Sequence, residues 1–213
     1  MSMYKYFFKR IIDFFCAFLA LSVFSPLFLV LMIIGFFAMK GNPFFTQARP
    51  GYHEKIFKLI KFRTMTNEKD VEGKLLPDEQ RLNGYGKFLR STSLDELPEA
   101  INILIGDMSV IGPRPWLVEY LPYFSDEEHH RHDVRPGLSG WAQVNGRNSI
   151  NWDDRIQLDL YYVNNVSFAF DIKIVIMTVL KFLKRENISV DTQSSEGNFA
   201  EVRKKKMLNK SNE

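Results

Sequence analysis

Hydrophobic and polar positions divide the chain sharply near residue 40. From Phe14 to Met39 no residue carries a charge and almost every position is apolar, a run of 26. About 20 such residues suffice for a helix to cross a bilayer. Ser25-Pro26 falls at the middle of the run. Pro26 lacks the N–H that would bond the Ser22 carbonyl, and its ring crowds that carbonyl, so the helix must bend there. A serine hydroxyl is at hand for the freed backbone groups. The two arms, Ile12–Phe24 and Leu27–Met39, would each be ~20 Å long, short of the ~30 Å hydrocarbon core. Lys5, Lys9 and Arg10 precede the run and Lys40 follows it, so flanking charge gives no inside–outside preference. A re-entrant hairpin and a kinked span fit these facts equally. A secretory signal fits poorly: the run is long, Asp13 borders it, and no A-x-A-like cleavage site precedes Lys40.

Beyond Lys40 the pattern becomes that of an α+β domain, mostly helical. Pro43–Ala48 and Lys55–Met65 read as short strands around the turn signal Arg49-Pro50-Gly51, a small β-hairpin. Residues 66–81 are polar and read as loop. Helices are predicted from about Asp95 to Ile105 and near 116–124, 153–164 and 170–185. In the last of these, Asp171, Thr178, Lys181 and Arg185 fall within about 80° of a helical wheel and the rest is apolar. Such a helix lies in a membrane interface or in a core. After Glu186 the chain turns polar and ends in Arg203-Lys204-Lys205-Lys206. The organisation expected is a membrane segment over 1–40, a catalytic domain over 41–190 and a disordered tail over 191–213.

Charge sharpens this picture. The net charge of +3 hides an asymmetry: residues 1–65 hold nine Lys/Arg against Asp13 and Glu54, giving +7 and leaving −4 for the remainder. A basic stretch around an apolar run suits anionic headgroups or phosphorylated substrates. Cys16, the single cysteine, cannot make an intramolecular disulfide, consistent with a body facing a reducing cytoplasm.

Candidate chemistry is sparse. The chain has no G-x-G-x-x-G, Walker A loop, C-x-x-C, H-E-x-x-H or D-x-D. His129, His130 and His132 match no common zinc spacing, and with Glu127 and Glu128 beside them they read as charged surface. The segment Ser93-Leu94-Asp95-Glu96-Leu97-Pro98 is more informative. Pro98 is tolerable only in a first turn, which starts a helix near Asp95 and sets two carboxylates at its positive end. That setting lowers carboxylate pKa, and an ionised Asp there can attack phosphorus if cations screen the anions. A plain helix cap fits the same residues. Pro113-Arg114-Pro115 holds a guanidinium in a stiff frame suited to bidentate phosphate binding. Arg135-Pro136-Gly137 through Asn148, with Arg147 as its substrate-binding candidate, has the composition of a nucleotide-binding loop or of a tight structural one.

At these residues the chain resembles the bacterial sugar transferases, the polyprenyl-phosphate hexose-1-phosphate transferases. The resemblance rests on Lys9-Arg10-Ile11-Ile12-Asp13 with Ser25-Pro26, on Phe45 through Gly51 and on Lys61-Phe62-Arg63-Thr64-Met65. It continues through Ser93–Pro98, Gly106–Pro115, Arg135–Asn148 and Ser167–Lys173, covering roughly residues 4–190 in family order. The chain is similar to the small monotopic members, such as the diacetylbacillosamine-1-phosphate transferases, since nothing precedes its first membrane helix.

The resemblance implies a ping-pong reaction at the bacterial cytoplasmic membrane. Asp95 attacks the sugar-bearing phosphate of a UDP-sugar, UMP leaves, and undecaprenyl phosphate takes the phosphosugar from the enzyme. Glu96 supports that chemistry through Mg2+ or a proton, and Asp95 holds the metal. Lys61, Arg90, Arg114 and Asp171 line the site, with Arg114 on phosphate. It also implies the re-entrant hairpin, a role in glycan or glycoconjugate assembly, contact with membrane lipids rather than nucleic acid, and downstream glycosyltransferases as candidate partners. Diacetylbacillosamine, GalNAc, glucose and galactose all remain open as the sugar. A membrane-anchored adaptor and a ternary-complex transferase without a covalent intermediate are the rival readings.

Overall fold

The computed structural model describes residues 3–146, 150–184 and 197–210. Its architecture is α+β and mostly helical. Helices α1 (Lys9–Val23) and α2 (Ser25–Ala38) lead into strands β1 (Phe44–Pro50) and β2 (Ile56–Phe62). Then come α3 (Asp78–Arg81), α4 (Gly84–Thr92), α5 (Glu99–Ile105), β3 (Ser109–Ile111), α6 (Asp126–His129), β4 (Gly137–Ser139), α7 (Trp141–Val144), α8 (Trp152–Asn164), α9 (Phe168–Leu183) and α10 (Phe199–Lys210). β1 and β2 form the antiparallel hairpin and β3 pairs with β4 in parallel.

The expected bend is present. The helix opening at Tyr4 and running through α1 meets α2 at 65°, and no single helix among the described residues is long and apolar enough to cross a membrane. The Ser25 hydroxyl donates to the Ser22 carbonyl at 2.8 Å, the group that Pro26 leaves without its amide. Packing of this pair is inverted relative to a soluble helix. On α1 the buried positions are Lys9, Asp13 and Ala17, spaced by four on one face. Asp13 accepts from the Ser109 hydroxyl at 2.6 Å and the Val110 N–H at 3.0 Å. Arg10 donates to the carbonyls of Ile103 and Leu104 at 2.6 and 2.7 Å, capping the negative end of α5. On α2, Tyr85 donates to the Leu31 carbonyl and Asn83 to that of Ala38, each at 2.8 Å. The other face of both helices exposes Phe14, Phe15, Phe18, Leu19, Leu29, Ile33, Phe36 and Phe37. Each such side chain gains ~1.5–3 kcal/mol from leaving water, so lipid is the medium that suits it.

The α9 pattern resolves the same way. Its polar stripe faces inward: Asp171 is buried, and Thr178 shares a hydrogen bond with Ser139 at 2.8 Å. Ile172, Val175, Ile176, Val179, Leu180 and Leu183 stand exposed. The apolar face of α9 therefore points outward, not into the core. Arg185 lies outside the described residues.

Two expectations are revised, and one helix forms where the sequence reading predicted no element. The hairpin turn is centred on Tyr52–Glu54, beyond the proline, and Pro50 is the last residue of β1. Helix α4 forms despite Gly84 and Gly86, because the Asn83 side chain caps it by accepting from the Gly86 N–H at 3.0 Å. The tail expected to be disordered carries α10. Phe199 is fully buried among Trp116, Tyr120, Phe124 and Trp152, and Arg203 and Lys206 pair with Asp153 at 2.9 and 2.6 Å.

Candidate active site

Strand alternation places the first site residue. Phe57, Leu59 and Lys61 share one face of β2, so the inward phase that buries Phe57 and Leu59 carries the Lys61 ammonium to the edge of the core. It meets two carboxylates there: Glu96 Oε1 at 2.8 Å and Glu99 Oε1 at 3.0 Å. Arg114 reaches the same Glu96 oxygen at 2.6 Å.

The chain between Ser93 and Ile105 is not one helix. Ser93 adopts a left-handed conformation (φ 54°), Leu94–Glu96 form a 3-10 turn, and α5 begins only at Glu99 with Pro98 before it. The helix-end setting expected for Asp95 is therefore absent. Burial, with the adjacent Glu96 charge, raises the Asp95 pKa instead of lowering it. Glu96 moves the other way: burial opposes its charge, but Arg114 and Lys61 outweigh it and hold the carboxyl ionised. Glu99, deeply buried and beside Glu96, is pushed well above the usual carboxylate range. Two neighbouring acids are thus split, one locked to cations and one left more basic.

The frame around Arg114 is as stiff as the two prolines suggest, and more so. All three carbonyls of Pro113-Arg114-Pro115 accept a hydrogen bond: from the Gly137 N–H at 2.9 Å, from Arg131 at 2.8 Å and from Arg49 at 3.1 Å. Arg131 is itself buried, paired with Asp159 at 2.7 Å and stacked 4.2 Å over Trp116. Gly112 and Gly137 allow the β3–β4 crossing: a Cβ on Gly137 would lie 2.0 Å from the Gly112 nitrogen. These glycines serve close backbone packing between β4 and the segment after β3.

Of the residues singled out from sequence, Lys61, Asp95, Glu96 and Arg114 come together. Arg90, on α4, donates from Nε to the Thr64 hydroxyl at 3.1 Å. Arg147 lies outside the described residues. Asp171 is placed elsewhere, in a buried knot where it accepts from Lys9 at 2.7 Å, Tyr4 at 2.6 Å and Tyr162 at 2.7 Å. Two members were not foreseen. Glu99 gave a signal in following Pro98 four residues after Asp95. Arg49, read only as part of a turn, lies near Arg114, and burial and that like charge lower its pKa to about 10.

Fold and site together set a cluster of buried acids among cations in a domain that carries an outward-facing apolar hairpin. The chain belongs to the bacterial sugar transferase family, whose model matches residues 4–185. It is 48% identical over 182 residues to the uncharacterized sugar transferase EpsL of Bacillus subtilis, covering 84% of this chain and 89% of that protein. It is 39% identical to the UDP-glucose:undecaprenyl-phosphate glucose-1-phosphate transferase of Klebsiella pneumoniae and 37% to the UDP-N-acetylgalactosamine-undecaprenyl-phosphate N-acetylgalactosaminephosphotransferase of Aeromonas hydrophila. Those matches cover 82% and 83% of this chain but 40% and 44% of the relatives.

Proposed function

We propose that this enzyme transfers a sugar-1-phosphate from a UDP-sugar to a polyprenyl phosphate, with Asp95 as the nucleophile. The observation that carries the reading is the split dyad. Glu96 is tied by Arg114 and Lys61, whereas no side chain among the described residues hydrogen-bonds the Asp95 carboxylate. A carboxylate made more basic by burial is the better nucleophile once ionised. An Asp95 oxygen bonds to the sugar-bearing phosphorus as the bond to UMP breaks. A phosphate oxygen of the lipid then bonds to the same phosphorus and frees Asp95. Lys61 and Arg114 neutralise Glu96 in the resting site and lie where phosphate charge arrives.

The residues suit a magnesium ion. Asp95, Glu96 and Glu99 bring three carboxylates to two cations: Lys61 bonds Glu96 and Glu99, Arg114 bonds Glu96, and no side chain among the described residues bonds the Asp95 carboxylate. Hard oxygen donors of this kind bind Mg2+. Asp95 and Glu99 would hold it, and when bound it supplies screening of the diphosphate charge.

A screen of UDP-sugars with undecaprenyl phosphate in detergent tests the reaction class. UMP should appear with at least one sugar, and silence across UDP-glucose, UDP-galactose, UDP-GalNAc and UDP-diacetylbacillosamine would leave the adaptor reading. In the productive assay, Arg114→Lys keeps the charge but loses the fork. Loss of a charge-assisted bond costs about 1.5–3 kcal/mol, so kcat/KM should fall about tenfold or more. An unchanged value would make Arg114 a structural residue.

The bent pair supports a re-entrant hairpin seated on the cytoplasmic leaflet. Cysteines at Ser2 and Asn42, in a Cys16→Ser background, should both resist a membrane-impermeant thiol reagent in intact cells and react after permeabilisation. Pro26→Ala with Ser25→Leu removes the bend, and the straightened helix, ~40 Å long, can cross a ~30 Å core. Ser2 should then label from outside. External labelling at Ser2 without those two changes would show a span.

A further inference from the structure

All four histidines of the chain meet in one patch that the proposed reaction does not use. His129 ends α6, His130 and His132 belong to the 3-10 turn that follows, and His53 comes from the β1–β2 turn. Two carboxylates receive them. Glu54 Oε1 faces both His129 Nδ1, at 2.5 Å, and His132 Nδ1, at 3.1 Å. Asp133 takes His130 Nδ1 at 2.8 Å, with His53 Nδ1 3.8 Å away. The inner three, Glu54, His129 and His132, each aim one ligand atom into a common point, and these atoms lie within 4.8 Å of one another. The histidine spacing alone suggested charged surface. What it lacked was Glu54, brought in from the far side of the sequence.

The surroundings are built rather than incidental. His53 and Glu54 both adopt left-handed backbone, with φ of 49° and 62°. Non-glycine residues lose roughly 1–2 kcal/mol each there, and from this backbone the Glu54 carboxylate meets both imidazoles. His132 is buried, whereas His129 and Glu54 are each about one-third exposed, with side-chain exposures of 37% and 35%. One ligand is thus fixed and two are reachable from solvent. Phe124 sets its ring edge-to-face against both imidazoles, at 5.7 and 5.6 Å. Arg131 lies behind His132, 3.4 Å from Nε2, but its charge is answered by Asp159 at 2.7 Å.

We infer that Glu54, His129 and His132 form a binding site for a divalent transition-metal ion of the zinc class. Two imidazole nitrogens and one carboxylate oxygen are the donor set such ions take, with water completing the shell. Without the ion, both Nδ1 atoms crowd a single carboxylate oxygen. With it, ligands at ~2.0–2.2 Å from the metal would stand somewhat further apart, and Glu54 and His129, each about one-third exposed, are the two on the solvent side. The ion would clip the β1–β2 turn to the segment whose Arg131 holds the Arg114 carbonyl.

The test uses the full chain in detergent, stripped with EDTA and exchanged into magnesium-free buffer. Zn2+ is titrated by calorimetry against a competing chelator, and Co2+ is added separately to read visible d–d absorption. One Zn2+ per chain should bind, and it should raise the melting temperature. Glu54→Gln and His129→Ala should each weaken binding about tenfold or more and lose the melting shift, with metal-free melting temperatures close to that of the unsubstituted chain. Asp95→Asn should keep the site, which separates it from the acidic cluster of the proposed reaction. If either variant fails to fold, the other carries the comparison. Absence of saturable uptake, equal affinity after Glu54→Gln or His129→Ala, or loss of uptake in Asp95→Asn alone would each overturn the assignment.

Discussion

Asp95→Asn should reduce UMP release to background while the protein remains folded. The substitution keeps the side chain's size and removes the charge that attacks phosphorus. Its structural cost is small, because no side chain among the described residues hydrogen-bonds that carboxylate. Removing Glu96 is a different experiment: it leaves Lys61 and Arg114 without the oxygen they share at 2.8 and 2.6 Å, so stability and activity would fall together. The contrast is informative. A loss of several orders of magnitude in kcat with an unchanged melting curve marks Asp95 as the nucleophile, and turnover by Asp95→Asn near the native rate would remove the covalent route.

The second large effect is on stability. Asp171→Ala leaves the buried Lys9 ammonium with Asp13, 3.9 Å away, as its one carboxylate among the described residues, takes the acceptor from the Tyr4 hydroxyl and leaves the Tyr162 hydroxyl the Ile111 carbonyl at 3.1 Å. Breaking a buried ion pair by removing one partner costs about 3–5 kcal/mol. For a chain of this size each kcal/mol is ~2–4 °C, so thermal melting in detergent should drop by roughly 6–20 °C. This knot fastens α1 to α9, the two elements with outward apolar faces, and its failure should release the hairpin from the domain. At a temperature where the variant is folded, kcat/KM should remain within about threefold. A large loss of kcat/KM with unchanged melting would return Asp171 to the substrate site that family resemblance suggested.

Those two residues also show what was legible beforehand. The bend at Pro26, the orientation of its serine and the apolar run followed from local chemistry and are present as expected. The strand over Lys55–Met65 was readable as a strand, but its phase was not, since both faces carry apolar residues; Lys61 was singled out by the family resemblance alone. Arg114's stiffness was visible in its prolines, but not the three hydrogen bonds that complete it, since Gly137, Arg131 and Arg49 come from distant segments. The Asp95 pKa was misread because a helix was extended back through Pro98. A 3-10 turn took its place, and burial became the larger effect. Asp171 looked like one polar residue on an amphipathic face, and only Lys9, 162 residues away, shows that the polar face points inward. The tail looked disordered because its single aromatic, Phe199, gives no periodic signal, yet it packs against both Trp116 and Trp152.

The central claim is that the phosphosugar rests on Asp95 before any lipid arrives. The most direct measurement incubates the purified chain with its UDP-sugar and Mg2+ in the absence of polyprenyl phosphate, quenches, and reads intact mass and released UMP together. The account predicts one equivalent of UMP per active chain, a mass gain of one phosphosugar, and peptide mapping of that gain to Asp95. UMP that appears only when the lipid phosphate is present, with no adduct on the protein, would contradict it and establish a single direct displacement.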